Sequence, residues 1–196
     1  MAELPKRPTS SPPAAPFDVV VGLGSNLGDR RATLERAVMS LANLGSLTAI
    51  SPLYATAPVG PAQPDFLNAA VRLLTPLRPS ALLEALLAIE RAAGRERLER
   101  WGPRTLDLDI LWIRATAVDE PGLRVPHAEL AARAFALLPL LDVASDATDP
   151  RTGTAYRLIA SGVPSADVKQ LHWSAWSPQI DPALFARHSS VDTPSP

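Results

Sequence analysis

The sequence predicts an α+β domain whose core is a mostly antiparallel sheet of four strands, with helices packed on one face. Short apolar runs alternate with a period of two residues, as half-buried strands do. Longer segments repeat apolar residues every three or four positions, as amphipathic helices do. These elements follow one another in the order β-α-β-β-α-β, which is the order of the ferredoxin-like split βαβ fold.

Four segments have the pattern of strands, namely 17–23, 47–56, 66–74 and 105–113. The first is rich in valine, and the second is interrupted by Pro52, so we expect a sheet edge or a bend there. In the third, successive residues face opposite sides of the sheet. Its apolar face holds Leu67, Ala69, Val71 and Leu73, and its other face holds Phe66, Asn68 and Arg72.

Three segments have the pattern of helices. The first follows the first strand, and Asp29 is the candidate N-cap. Its apolar residues are Leu34, Ala37, Val38 and Leu41. The second runs from Pro79 to about Ala93, and Pro79 is tolerated in the first turn. Its apolar stripe is Leu82, Leu83, Leu86 and Ile89. A third helical stretch around 129–142 closes the domain.

Composition excludes several classes of protein. The chain has 196 residues, 46% of them hydrophobic, and a formal net charge of −1, which argues against a broad nucleic-acid-binding surface. The absence of cysteine excludes disulfides and thiolate metal sites and fits a cytoplasmic protein. No apolar run reaches the ~18 residues of a membrane span. The N-terminus also lacks the apolar region of a secretory signal.

The pattern divides the chain into one domain, 17–160, and two tails. Residues 1–16 are rich in proline and show no period, so we expect them to be disordered. Residues 161–196 are expected to form a largely irregular C-terminal extension. Trp173 and Trp176 in this extension either dock on the domain surface or form a partner-binding motif. Nothing in the sequence requires an oligomer, so we expect a monomer.

The strongest chemical signal is a pair of aspartates on the fourth strand. Asp107 and Asp109 are two residues apart and therefore face the same side of a strand, while Leu106, Leu108, Ile110 and Trp112 fill the core. Two neighbouring carboxylates repel each other, and hard divalent cations such as Mg²⁺ relieve that repulsion. From the pair alone, a solvated strand face with ordinary acidic residues is at least as good an interpretation.

The segment before this strand favours a phosphate and metal site. It carries Arg95, Arg97, Arg100 and Arg104. The planar guanidinium group of arginine matches the geometry of phosphate oxygens, and its charge persists at any working pH. Gly94, Gly102 and Pro103 mark this segment as a loop, where functional residues concentrate. A charge-balanced surface loop is the alternative interpretation of these arginines.

Four segments in order resemble the 6-hydroxymethyl-7,8-dihydropterin pyrophosphokinase family of folate biosynthesis. They are GLGSNLGD (22–29), YATAPVGPAQPDFLNAAV (54–71), RWGPRTLDLDIL (100–111) and RVPHAELAARAFALLPL (124–140). The resemblance covers about residues 17–145. It implies transfer of diphosphate from ATP to the hydroxymethyl group of the pterin with release of AMP. Leu87, Gly122 and Ala128 stand where family members often have glutamine, arginine and an aromatic residue.

The resemblance also implies the residues of the nucleotide side. Asp107 and Asp109 would hold two Mg²⁺ ions, and Arg95 and Arg104 would contact the phosphates and share in catalysis. The residues that would bind ATP are Glu90, Arg95, Trp101, Arg104, Ile110, His127 and Arg133. Taken alone, a single histidine such as His127 is more often structural than catalytic.

The resemblance further implies a slot for the flat pterin ring. The residues of this slot are Thr56, Ala57, Val59, Phe66, Asn68 and Phe135. Phe66 and Phe135 match the aromatic plates of the family, although core packing would explain both without the resemblance. Asn68 can donate and accept hydrogen bonds at once, and such a residue is harder to explain inside an apolar strand.

Three other classes of protein fit the sequence less well or need a separate test. The segment GLGSNLG lacks the G-x-G-x-x-G spacing of a dinucleotide-binding turn, and no Walker A lysine follows it. An RNA-binding ferredoxin-like module should show basic and aromatic residues on its central strands, where this chain has two aspartates. A metal-dependent nucleotide hydrolase could use the same carboxylates, and product analysis separates it from a transferase.

Overall fold

A computed structural model of the protein describes residues 15–58, 61–95 and 102–171. Its eight strands are β1 (Phe17–Ser25), β2 (Ser46–Ile50), β3 (Leu53–Thr56), β4 (Phe66–Thr75), β5 (Asp107–Ile113), β6 (Val118–Glu120), β7 (Leu123–Val125) and β8 (Val168–Leu171). Its four α-helices are α1 (Arg30–Leu41), α2 (Pro79–Ala92), α3 (Ala134–Val143) and α4 (Tyr156–Ala160). A 3₁₀ turn, Leu130–Ala132, precedes α3. No helix in these ranges is both long and apolar enough to cross a membrane.

Six of the strands form one sheet, in the order β5-β1-β4-β3-β8, with β2 also paired to β4. The strands of this sheet pair in antiparallel fashion, and β6 and β7 form a separate antiparallel pair. The chain is therefore a mixed α/β protein with an antiparallel sheet, as predicted. The sheet has six strands rather than the four expected, and the ferredoxin-like core stays a prediction.

The expected break at Pro52 divides the second predicted strand into β2 and β3. Ser51 joins both halves to β4, because its N–H donates to the Ala70 carbonyl at 2.9 Å and its Oγ accepts from the Ala70 N–H at 2.8 Å. The break therefore costs the sheet little backbone hydrogen bonding.

The first core lies between the sheet and the helices α1 and α2. Asp29 caps α1 as predicted, and its Oδ1 accepts from the Ala32 N–H at 3.0 Å. Each helix buries one stripe of apolar residues, as the spacing predicts. The buried side chains of this core include Leu34 and Val38 of α1, Leu82 and Leu86 of α2, and Leu67, Ala69, Val71 and Leu73 of β4.

A second core lies on the opposite face of the sheet, under α3. The predicted helical stretch at 129–142 forms as the 3₁₀ turn and α3 together, and α3 packs on this face. Val20 and Ala70 of the central strands share this core with Leu137 and Leu140 of α3, and all four are fully buried. The prediction that helices cover one face only was therefore wrong.

A bulge in β5 places Trp112 in the second core. Strict alternation of side chains along the strand predicted that Trp112 would lie in the first core, with Leu108 and Ile110. Val21 pairs with Ile110 and Val20 with Trp112, so Leu111 is one extra residue on β5. One extra residue shifts the alternation of everything beyond it. The indole N–H of Trp112 donates to the Thr148 carbonyl at 2.7 Å.

The strand β8 extends the sheet beyond residue 160, where a largely irregular segment was expected. Four residues of mixed polarity are too few to show a period, and the edge of β3 supplies the hydrogen bonds that order them. Leu171 pairs with Leu53 and Val168 with Thr56. Trp173, Trp176 and most of the N-terminal tail lie outside the described residues.

Asp18 joins the start of β1 to two arginines. Its carboxylate accepts from Arg72 Nε and Nη2 at 2.8 and 2.7 Å and from Arg114 Nε at 2.7 Å. Burial raises the pKa of the Asp18 carboxyl, but these hydrogen bonds and charges together lower it more, so the pKa lies below its ordinary value.

We expect Asp18→Asn to lower the free energy of unfolding by about 1–2 kcal/mol at neutral pH. Because the folded pKa is depressed, this stabilisation is present at neutral pH and is lost as the pH falls below about 4. The difference between the variant and the wild type in urea unfolding should therefore shrink at about pH 3. Asp119→Asn is the matched control, since that carboxylate is 71% exposed and 3.8 Å from Arg151. Equal losses in the two variants would contradict the assignment.

Candidate active site

A cleft opens on the α3 face of the sheet, beside the N-terminal end of α3. Strands β1, β3, β4 and β5 contribute to its floor and walls. Its lining residues are Gly24, Thr56, Ala57, Gln63, Phe66, Asn68, Arg104, Asp107, Asp109, Arg133 and Phe135. An adjoining lobe is lined by His127 and Leu111 together with both aspartates. The cleft thus brings together most of the residues that the sequence singled out.

Asp107 lies between two arginines. Arg95 Nη1 is 2.6 Å from its Oδ1, and Arg104 Nη1 is 2.7 Å from its Oδ2. Arg95 also pairs with Glu90, which is 2% exposed. Glu90 in turn accepts from the Leu108 N–H at 2.7 Å, so the end of α2 is fastened to β5. Burial raises the pKa of the Glu90 carboxyl.

Asp109 is accessible from the cleft, yet the surrounding protein reduces its hydration. This loss of hydration, followed by the nearby charge of Asp107, raises the pKa of the Asp109 carboxyl. His127, Arg95 and Arg104 act in the opposite direction but do not compensate. The cleft therefore disfavours the charged form of Asp109, and a cation bound beside it would favour that form.

The carboxylate pair fits a divalent cation. Mg²⁺ takes one or two carboxylates and completes its octahedron with phosphate oxygens and water. Within the described ranges no cluster of three or more candidate ligands occurs, and Asp107 and Asp109 are the pair of carboxylates that lines the cleft.

The aromatic slot is the part of the cleft that is lined by the side chains of Phe66 and Phe135. Asn68 is 7% exposed, and its Nδ2 donates to Thr56 Oγ1 at 2.8 Å, so its Oδ1 is the atom that can accept from a ligand. A Cβ on Gly24 would lie 3.2 Å from that oxygen, so a side chain at this position would crowd the slot. Arg133 lies over the Phe135 ring, 5.7 Å from its centroid.

Some of the expected site residues lie elsewhere. The Ile110 side chain is 4% exposed in the first core, on the far side of the sheet, so only its backbone can contact the cleft. Glu90 acts through Arg95 and Leu108 and is not among the lining residues. Val59 and Trp101 lie outside the described residues.

Asn26 is a residue beside the cleft that sequence reasoning missed. It is 2% exposed, and its Nδ2 donates to Gln63 Oε1 at 3.0 Å and to the Pro64 carbonyl at 3.1 Å. Its Oδ1 accepts from the Arg104 N–H at 2.8 Å. Asn26 therefore connects the two loops that border the cleft. The signal in the sequence was an amide inside the GLGSNLGD segment.

The cleft combines an acidic pair, arginines and an aromatic slot, an arrangement that suits an enzyme of the phosphotransferase class. The family model for 7,8-dihydro-6-hydroxymethylpterin-pyrophosphokinase (HPPK) matches residues 20–145. The chain belongs to this family.

Named relatives agree with the family model. A 2-amino-4-hydroxy-6-hydroxymethyldihydropteridine pyrophosphokinase of Pseudomonas aeruginosa is 50% identical over 131 residues, which are 65% of this chain and 81% of the relative. One of Synechocystis is 41% identical over 151 residues, covering 76% and 77% of the two chains. The solved HPPK-DHPS of Plasmodium falciparum has a TM-score of 0.61 at 16% identity. This match covers 75% of this chain and only 44% of that one, and it supports the fold alone.

Proposed function

We propose that the protein transfers diphosphate from ATP to the hydroxymethyl group of 6-hydroxymethyl-7,8-dihydropterin and releases AMP, a step of folate biosynthesis. Membership of the pyrophosphokinase family supports the reaction. The observation that carries the proposal is the position of Asp107 and Asp109 in one cleft with an aromatic slot. We also propose that the protein is a cytoplasmic monomer with a ferredoxin-like core.

In this proposal Asp107 and Asp109 would hold two Mg²⁺ ions. The ions would neutralise charge on the phosphates and orient them. Arg95 and Arg104 now contact Asp107, and phosphate oxygens would compete for the same guanidinium groups. The arginines can therefore exchange one anionic partner for another without being left unpaired.

The pterin would lie between Phe66 and Phe135, with its edge against Asn68 and the backbone of Thr56 and Ala57. Its hydroxymethyl oxygen would attack the β-phosphorus, so that a bond forms between them and the bond from that phosphorus to the AMP oxygen breaks. The hydroxyl proton would be released. Positioning and charge neutralisation account for most of the catalysis.

The adenosine side is proposed to involve His127 and Arg133, which line the lobe next to the aspartates. Trp101 and the backbone of Ile110 are also proposed to contact ATP, and Glu90 would act by holding Arg95. Val59 is also proposed to contact the pterin.

The direct test measures AMP formed from ATP and Mg²⁺ with and without 6-hydroxymethyl-7,8-dihydropterin. AMP that appears only with the pterin, with pterin diphosphate as the second product, is the expected result. Phosphate or diphosphate released without the pterin would favour a nucleotide hydrolase and contradict the proposal.

A further inference from the structure

One hydrogen bond joins β3 to the last turn of α3. The Tyr54 hydroxyl donates to Asp142 Oδ2 at 2.6 Å, and Tyr54 is 5% exposed. Neither residue lines the cleft. A buried hydroxyl that loses its partner is unfavourable, so this bond opposes movement of α3 relative to β3.

Tyr54 is placed on the same sheet face as the slot. It pairs directly with Asn68 across the ladder, and residues directly opposite each other share a face. Thr56 is two residues further along β3 and shares that face as well. Movement of Tyr54 would therefore be transmitted to both polar groups of the slot.

Asp142 is placed on the same helix face as the aromatic ring of the slot. It follows Phe135 by seven residues, or about two turns of helix. Pro139 lies inside α3 and has no N–H to donate to the Phe135 carbonyl. The first turn of α3 therefore lacks one of its own hydrogen bonds and depends more on contacts outside the helix.

We propose that Tyr54 and Asp142 are positioning residues that set the separation between Phe135 on α3 and Phe66 on β4. The inference rests on the proposed function, because it takes this slot to be the pterin site. Neither residue touches the reacting groups.

The test compares steady-state kinetics of Tyr54→Phe with the wild type. We expect the KM for the pterin to rise about tenfold while kcat and the KM for ATP stay within about twofold. Asp142→Ala should raise the KM for the pterin as much as Tyr54→Phe does. The double variant should raise it no further, because both substitutions remove the same hydrogen bond. Asp142→Asn keeps an acceptor and should restore most of the affinity.

Tyr156→Phe is the matched control, since Tyr156 is also a buried tyrosine, 1% exposed, and lies in the second core. It should leave the KM for the pterin unchanged. An unchanged KM in Tyr54→Phe as well would overturn the proposal. Amide hydrogen exchange in the first turn of α3 needs no substrate and should quicken in Tyr54→Phe but not in Tyr156→Phe. The exchange measurement tests the inference even if the wild type shows no transfer of diphosphate. An unchanged exchange rate in Tyr54→Phe would also overturn the proposal.

Discussion

Asp109→Ala should reduce pterin-dependent AMP formation at least about a thousandfold, because it removes one of the two carboxylates proposed to bind the metal. The melting temperature should not fall, since Asp109 faces Asp107 with an unfavourable interaction in the folded protein. Initial rates at saturating ATP, pterin and Mg²⁺ measure the effect. Asp109 is a cleaner target than Asp107, whose removal would also release Arg95 and Arg104.

Asp119→Ala is the control for this substitution, because it removes an exposed strand aspartate on β6. It should keep the wild-type rate. Retention of more than about a tenth of the activity in Asp109→Ala would contradict the metal assignment.

Asn68→Ala should weaken pterin binding about 10- to 100-fold and leave binding of a non-hydrolysable ATP analogue within about twofold. Among the described residues of β4, the Asn68 amide is the group that combines a hydrogen bond to Thr56 with a place in the lining of the cleft. Calorimetry with each ligand separately measures the two affinities.

Asn43→Ala supplies a control of the same chemistry just after α1, where Asn43 Nδ2 reaches the Met39 carbonyl at 3.4 Å. Neither affinity should change in that variant. A parallel loss of pterin and nucleotide affinity in Asn68→Ala would mean that the cleft had collapsed and would contradict a specific pterin contact.

Local patterns were sufficient for the strands and helices whose apolar residues repeat with a clear period. The alternation in 66–74 and the stripe of α2 follow from a two-residue and a 3.6-residue period, and both elements formed where predicted. The expected break at Pro52 followed from the missing N–H of proline. These features depend on neighbours in the sequence.

Features that depend on distant parts of the chain were not predictable. The extra residue Leu111 is visible only in the pairing of β5 with β1, and β8 forms because it can pair with the edge of β3. The sequence did not predict that α3 packs on the second face of the sheet. The apolar residues of this helix are not arranged in one stripe, so their spacing does not show which side is buried. Long-range pairing and packing decided each case.

The site also has features that follow from local spacing and features that depend on distant parts of the chain. The common direction of Asp107 and Asp109 follows from their spacing along one strand. The bonds of Asn26 to Gln63 and Arg104 join segments far apart in the chain, and no local spacing reports them.

The bulge at Leu111 has a consequence for how this protein tolerates deletions. Loss of Leu111 would restore regular pairing between β5 and β1, and Trp112 and the carboxylates would keep their faces, at the cost of one buried leucine. Loss of Leu108 would instead make Asp107 and Asp109 adjacent and turn them to opposite faces of the sheet. A deletion at the bulge therefore leaves Asp107 and Asp109 on one face of the sheet, whereas a deletion three positions earlier separates them.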